Sequence, residues 1–411
     1  MEKTLVSSIE IGHNKIVTLI GKIYNNNIKI VGVGKIKSKG INKKGIYDLE
    51  SINRCIKKSI NKAEKMAQYK IQSAYLSISH KKIKCHNEIG IIPISGKEVK
   101  KKDIDNVIYS AKSIKINNEH VILHVIPQEY SIDKRTGIKN PIGLSGMRMK
   151  GRVHLITCHK EIYNNIKKSI EKCKIKVKEL IFSGIASSEA VLTHEEKKLG
   201  VCMIDIGSHS IDLSVYYNGY TIYNHVIPYA SSLVTNDIAY AFSISYKQAE
   251  KIKINYGCTT IPILEKINNN NVLDKKGNVI KNITIQSLID VIEPRYIELL
   301  NIVKSKIIKI QKKIYKNTGK EVELKKGIVI TGGGSKIKFL KHCAQKIFFT
   351  TVRIAKPKNV IDKYKNIYDP IYSTSIGVLK YVKKNSLFIK NSKNINFIKK
   401  IINKINSWII K

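Results

Sequence analysis

Two segments about half a chain apart each carry an acid at the end of an apolar strand and run directly into a glycine turn, and this pairing constrains the fold more than any other feature. The first reads Val-Ser-Ser-Ile-Glu-Ile-Gly-His from Val6 to His13, and the second Val-Cys-Met-Ile-Asp-Ile-Gly-Ser-His-Ser-Ile-Asp from Val201 to Asp212. After Gly12 come the apolar run Lys15 to Ile23, the turn Asn25-Asn26-Asn27 and a run from Ile28 to Val33. After Gly207 come Ile211 to Tyr217, the turn Asn218-Gly219 and Tyr220 to Ile227. An internal duplication is the simplest account, each copy beginning as a meander of antiparallel strands. A third cluster, Ile-Val-Ile-Thr-Gly-Gly-Gly-Ser, spans Ile328 to Ser335.

A tight turn aims successive backbone N–H groups into one hollow that suits phosphate oxygens. An acid just before it can order magnesium-bound water, and glycines let the backbone approach a ribose or base closely. Any one such turn reads as a plain hairpin. The three in order read as a nucleotide clamp, with Glu10, Gly12, His13 and Lys15 on one side. Asp205, Gly207, Ser208 and Ser210 stand on the other, Asp205 reaching Mg2+ through water, with Gly332, Gly333 and Gly334 beside the nucleoside.

Further runs give the chain a resemblance. They are Gly45 to Ser51, Asn87 to Gly90, His-Val-Ile-Pro-Gln-Glu-Tyr from His124 to Tyr130, Asn-Pro-Ile-Gly-Leu-Ser-Gly from Asn140 to Gly146, Val-Ile-Glu-Pro-Arg-Tyr from Val291 to Tyr296, and Tyr372 to Gly377. On these the chain resembles, over nearly its whole length, the FtsA family of bacterial cell-division proteins within the actin, heat-shock chaperone and sugar kinase ATPase superfamily. The glycine turns are common to the superfamily, whereas the His-Val-Ile-Pro-Gln and Asn-Pro-Ile-Gly-Leu-Ser-Gly runs are specific to FtsA-like inserts.

The resemblance implies an α/β fold class: duplicated actin-like, ribonuclease H-like domains around a nucleotide cleft, an inserted small α+β subdomain and a C-terminal amphipathic helix. The implied divisions are 1–83 for the start of the first domain, 84–162 for the insert and 163–199 for its continuation. The second domain is 200–362, with a partner-binding subdomain at about 233–315. Residues 363–382 return to the first domain, 383–394 form a linker and 395–411 a membrane-targeting helix. The implied function is an ATP-binding protein that polymerises with itself on the cytoplasmic face of the inner membrane at the division septum. There it tethers filaments of the tubulin-like protein FtsZ and recruits later division proteins. Glu250 and Lys253 match an Ala-Glu-x-x-Lys element that contacts ribose and base, although by spacing alone they are an ordinary solvated i,i+3 pair. Arg295, flanked by Tyr296 and Glu298, matches a position that receives the acidic C-terminal tail of FtsZ. Pilus-assembly relatives share the fold and insert and remain the nearest rival. An actin-fold phosphotransferase would need a catalytic Asp in a sugar pocket, and a chaperone ATPase a long β-rich substrate domain.

The turns depart from the family pattern. His13 stands where the first turn carries Thr or Ser, and Ser208, His209 and Ser210 stand where the second reads Gly-Gly-Thr. Non-glycine residues at positive φ would be strained there. The imidazoles could obstruct the γ-phosphate or donate hydrogen bonds to it. The expectation is ATP binding with weak or no hydrolysis, since no side chain reads as an unambiguous general base.

Lys and Arg number 74 against 31 Asp and Glu, a net charge of +43, which by itself suggests an anionic surface or polymer as partner. The lysines are spread evenly and accompanied everywhere by Ile and Asn, a chain-wide bias of the kind an AT-rich genome imposes. With one Trp and no basic stripe interleaved with aromatics, nucleic acid is not expected as a partner. Seven scattered cysteines imply a reducing compartment and no disulfide framework. His154, Cys158 and His159 sit on a strand-like run and read as strand residues rather than metal ligands. No apolar run reaches membrane-spanning length and no leader precedes the first strand, so the body is expected in the cytosol.

Periodicity predicts helices near Leu49 to Met66, Asp103 to Ile114, Lys160 to Lys172, Ser187 to Leu192, Leu233 to Phe242, Ser245 to Tyr256, Ile285 to Tyr315 (through Pro294) and Ile337 to Phe348. Inside the insert it predicts strands at Asn87 to Ile94, Val121 to Ile126 and Val153 to Ile156, and Asn268 to Asn282 reads as a polar loop. At the end of the chain Ile395, Ile398, Ile401, Ile402, Ile405, Trp408 and Ile409 share one helical face, while Lys399, Lys400, Asn403, Lys404, Ser407 and Lys411 share the other. Such a helix suits the membrane interface, with Trp408 at headgroup level. Each buried Ile contributes about 1.5 to 3 kcal/mol and each Lys near anionic lipid about 1. Ordering the segment offsets much of this, so the anchor becomes firm only when copies are linked.

Overall fold

In the computed structural model the described residues are 4–385, apart from 25–26, 43–44, 97, 114–117, 261–270, 274–278, 320 and 363–366. The expected terminal helix, with Ile398, Ile401, Ile402, Ile405, Trp408 and Ile409, lies outside them.

The duplication is visible in two sheets of matching order. In the first, Asn27–Lys37, Lys15–Tyr24 and Thr4–Ile11 form the antiparallel meander, and Ser73–Ile78 and Lys176–Phe182 extend it as parallel strands, with Ile361–Asp362 at the other edge. In the second, Tyr220–Ile227, Ile211–Tyr217 and Val201–Ile206 form the meander, and Ile328–Thr331 and Val352–Ile354 the parallel extension. Parallel strands require crossovers, and parallel sheets are buried on both faces. Accordingly Val201–Ile206 is buried at every position.

The helix Leu49–Ala67 covers the first sheet. Asp48 caps it by accepting from the Glu50 and Ser51 backbone N–H groups, and Ile52, Cys55, Ile56, Ile60 and Ala63 face the core at helical spacing. The second sheet is covered by the 34-residue helix Ile285–Thr318, which continues through Pro294 and ends at Gly319 in the left-handed conformation. Its buried stripe runs through Ile292, Tyr296, Leu299, Leu300 and Val303.

The insert is a four-stranded antiparallel sheet in the order Lys84–Pro93, Arg148–His159, His120–Ile132 and Arg135–Ile138. The helix Lys101–Lys112 buries Val107 and Ala111 against it. The strands are longer than their alternation suggested, and Arg135–Ile138 is a hairpin arm the periodicity did not reveal. Lys160–Glu171, which follows, buries Ile162, Ile166 and Ile170 in the first domain's core rather than the insert's. The insert also docks on the second domain. Asn87 Nδ2 and Gln128 Nε2 donate to the Ile222 and Thr221 carbonyls at 3.0 and 2.8 Å, and His154 lies between the amide oxygens of Asn87 and Asn224.

Outside the insert, three more elements differ from the sequence reading. The helix near Ser187 begins at Ser183, because Ser183 to Ser188 pack inward as a wholly buried turn. Part of the expected polar loop pairs as strands Asn271–Leu273 and Val279–Thr284, since Val272 and Ile283 bury in the second core. The helix expected from Ile337 starts at Leu340, after a tight 3-10 turn over Gly333–Lys336. Residues 373–385 close the described chain as a helix, lying so near Ser183–Val191 that a Cβ at Gly377 would sit 1.8 Å from the Ala186 carbonyl oxygen.

Candidate functional site

The two acid-glycine turns close in the same way. Gly12 N–H donates to the Lys15 carbonyl and Gly207 N–H to the Ser210 carbonyl, each at 2.9 Å. A Cβ at either glycine would lie 2.9 Å from that carbonyl, so a side chain is excluded by the closeness of the turn. The expected backbone strain does not arise: His13, Ser208, His209 and Ser210 all lie outside the positive-φ region. A serine hydroxyl supports each turn from behind. Ser38 Oγ donates to the Gly12 carbonyl at 2.5 Å and Ser231 Oγ to the Gly207 carbonyl at 2.8 Å.

The loop length of the second hairpin sets its register, placing Asp205 directly opposite Asp212, whereas Glu10 faces Val17. Glu10 accepts from Lys15 Nζ at 2.6 Å and from Ser375 Oγ at 2.5 Å. Asp205 accepts from Ser187 Oγ and, at 3.2 Å, from Thr374 Oγ1. Asp212 accepts from Ser79 Oγ at 2.5 Å. Burial pushes the Asp205 carboxyl above its ordinary range, the Ser187 hydroxyl opposing and the Glu10 charge adding. Asp212 is pushed well above it, by burial first and then by the Asp205 charge, with Ser79 opposing.

These groups share one cleft of about 640 Å³, within the usual range of small-molecule sites. Glu10, Gly12, His13, Lys15, Asp205, Gly207, Ser208, Ser210, Glu250, Lys253, Gly333 and Gly334 all line it. Gly332 does not. It lies behind Asp205 at φ +88°, where a Cβ would fall 2.1 Å from Asp205 Oδ1. Glu250 and Lys253 are not a solvated pair: they bridge at 2.7 Å, Lys253 Nζ also donates to Thr235 Oγ1 at 2.7 Å, and Lys253 is buried. Burial draws the Lys253 ammonium below its ordinary range, with Glu250 opposing.

Asp212, Ser79, Lys35, Lys336 and Thr374 also line the cleft and were not singled out from the sequence. Asp212 was legible in principle, because a four-residue loop after Ile206 pairs position 205 with 212. The others reach the cleft through long-range packing.

Tyr296 requires a correction. Placed by resemblance on a partner-binding surface, it is 1% exposed, lines the cleft wall, and donates its hydroxyl to the Gly334 carbonyl at 2.8 Å. Its phase with Ile292, Leu299 and Leu300 points it inward. Arg295 and Glu298 stay on the outer side. Arg295 forks onto Asp237 at 2.6 and 3.0 Å and pairs with Glu298, so the guanidinium is engaged within the chain.

Comparison with known proteins places this geometry. A model described as cell division protein FtsA matches residues 202–377, and one described as the SHS2 domain inserted in FtsA matches residues 80–157. The chain is 52% identical to the cell division protein FtsA of Buchnera aphidicola subsp. Acyrthosiphon pisum, covering 100% of this chain and 98% of that protein. It is 44% identical to that of Escherichia coli K12, covering 99% and 96%. Among solved structures, the type IV pilus biogenesis complex of PilM and PilN matches with TM-score 0.64 at 14% identity, over 92% of this chain and 98% of that one. MreB5 of Spiroplasma citri bound to ADP matches with TM-score 0.53 at 13% identity, over 93% and 98%. The structural likenesses establish an actin-like fold, and the sequence relatives, which extend over the whole chain, establish that it belongs to the FtsA family of cell division proteins.

Proposed function

We propose that the chain is an ATP-binding scaffold of cell division. The observation that carries this reading is the convergence of two duplicated acid-glycine turns, Glu10 to Lys15 and Asp205 to Ser210, on one cleft. The donor set fits a magnesium nucleotide. Backbone N–H groups and Lys15 would face the phosphates, Asp205 would hold Mg2+ through water, and Glu250 and Lys253 would stand at the ribose and base with Gly333 and Gly334. A structural neighbour, MreB5 of Spiroplasma citri, is bound to AMPPNP, which supports a nucleotide in this type of cleft. The proposed role is binding with weak or no hydrolysis, because His13 and Ser208-His209 depart from the family's phosphate turns.

In this reading ATP favours a polymer of the chain on the cytoplasmic face of the inner membrane at the septum. The segment 395–411 lies in the membrane interface, and FtsZ is held through its acidic tail near Arg295 and Glu298, with later division proteins recruited to the same assembly. Sequence identity near one half to FtsA proteins favours this over a pilus-assembly scaffold, for which only the fold speaks. Co-sedimentation with anionic liposomes, with and without ATP, tests it. The full chain should sediment with the vesicles, more completely with ATP, and a chain ending at Asn394 should stay soluble and folded. Undiminished sedimentation of the shortened chain would refute the anchor, and indifference to ATP would refute nucleotide-linked assembly.

A further inference from the structure

His13 and His209 follow the glycines of the two duplicated turns by one and two residues. Their rings stack with centroids 4.9 Å apart and planes 24° from parallel, so the two halves of the cleft meet through an imidazole pair at the level where the turns present their backbone. His209 Nδ1 lies 2.8 Å from Ser208 Oγ, which fixes that ring from its own side. His13 lines the cleft directly, and His209 stacks on it without lining the cleft itself.

Two imidazoles stacked at this distance are compatible while neutral and repel when both are charged. Burial, then the neighbouring His209, hold His13 down to about 4, with a hydrogen bond to the Asn42 backbone opposing and His80 adding. Some of the other charged groups sharing the cleft are matched by opposite charges. Lys15 is paired with Glu10, Lys253 with Glu250, and Lys336 with Asp369. Asp205 and Asp212 lie behind the second turn on Ser187 and Ser79. Lys35 and Lys37 enter from the strand beside the first turn. Lys35 is drawn below its ordinary range by burial, then by Lys15. The pair therefore stands in a setting that resists a positive charge until an anion arrives. A phosphate reverses this, because an imidazolium offers it an N–H donor and a neutralising charge together.

We propose that His13, backed by the stacked ring of His209, is the phosphate ligand peculiar to this cleft, and that it engages a nucleotide's terminal phosphate by taking up one proton from solvent. The proton is added to a ring nitrogen as the phosphate enters and returns to solvent when it leaves. This rests on the nucleotide reading above and adds to it a pH-controlled affinity. The sign follows from linkage: the bound state holds more protons than the free state, so affinity rises as pH falls, by at most about tenfold per pH unit for one proton.

Titration calorimetry of the full chain with magnesium ATP, between about pH 5.5 and 8 and in two buffers of different protonation enthalpy, tests this. The wild type should take up close to one proton more than the His13→Asn, His209→Asn double variant. That variant keeps polar groups of similar reach without titrating and sets the baseline for protonation of ATP itself. The single His13→Asn variant should lose most of the excess uptake, and equal thermal unfolding midpoints would establish that the variants are folded. Equal proton uptake by wild type and double variant, or tighter binding by the double variant with no pH dependence in the wild type, would overturn the proposal and make the rings an obstruction. Absence of binding by wild type and variants at every pH would overturn the nucleotide reading itself.

Discussion

Replacing Asp205 with Asn should move stability in opposite directions with and without nucleotide. Asp205 and Asp212 are directly opposed, buried carboxyls. Opposed side chains in an antiparallel pair lie about 5 Å apart. Two full charges at that distance repel by about 3 kcal/mol at an effective dielectric near 20. Asp212 is already pushed towards its protonated form, so the repulsion present near neutral pH is smaller than this. The amide introduced by Asp205→Asn would keep an oxygen to accept from Ser187 and Thr374 and would relieve this repulsion. The nucleotide-free variant should therefore be as stable as wild type or more stable, by less than the roughly 3 kcal/mol of full repulsion. Magnesium ATP at a hundredfold excess over its Kd should stabilise wild type by about 2.7 kcal/mol, and the variant far less, because the water-bridged cation loses its anchor. Thermal unfolding with and without ATP measures both effects. A nucleotide-free variant destabilised by more than about 1 kcal/mol, or one still fully stabilised by ATP, would refute the reasoning. The same experiment carries a pH signature. A carboxyl raised in the folded state binds more protons folded than unfolded just above its ordinary range, so the contribution of Asp205 and Asp212 to wild-type stability should fall as pH rises from about 4. That slope should be shallower in the variant.

Arg295→Glu leaves three acids where Arg295 now bridges Asp237 and Glu298; it should cost about 0.5 to 1 kcal/mol of stability. It should also weaken binding of an acidic FtsZ tail peptide at least tenfold, about 1.4 kcal/mol, in fluorescence anisotropy, and equal affinity for a scrambled peptide of the same charge would show the contact to be unspecific. Tyr296→Phe orphans the Gly334 carbonyl and should cost about 1 kcal/mol by chemical denaturation while leaving that peptide's affinity unchanged, since the ring faces the cleft. Gly377→Ala forces a methyl against the Ala186 carbonyl, and the helix separation it demands should cost about 1 to 3 kcal/mol in the same assay; a neutral outcome would mean that the two helices are not held at this spacing.

The duplicated fold was legible because strand, acid and glycine repeat at a local spacing, and local spacing is what a sequence displays. The insert was legible through its specific runs, although their alternation understated the length of strands His120–Ile132 and Arg148–His159. The hydroxyls that hold the three acids were not legible. Ser79 meets Asp212 across 133 residues and Ser375 meets Glu10 across 365, and a lone Ser gives no sign of such a contact. Tyr296 was misplaced although its helical phase was available, because matching a motif says which residues are present and not which way they face. The expected strain at His13 and His209 failed for a similar reason. The turns close through Gly12 and Gly207 alone, leaving the next residues in ordinary backbone conformations.

Ser373, Thr374 and Ser375, at the start of the last described helix, touch Thr331 at 2.7 Å, Asp205 at 3.2 Å and Glu10 at 2.5 Å in turn. The first two partners belong to the second sheet and the third to the first sheet. One turn of helix thus acts as a cotter pin between the two sheets. A rotation that parts the sheets while this turn stays on either one must break hydroxyl bonds to the other. It would then strip a hydrogen-bond donor from one of the acids facing the cleft, so the angle between the two halves and the hydrogen bonding of their carboxyls cannot vary independently.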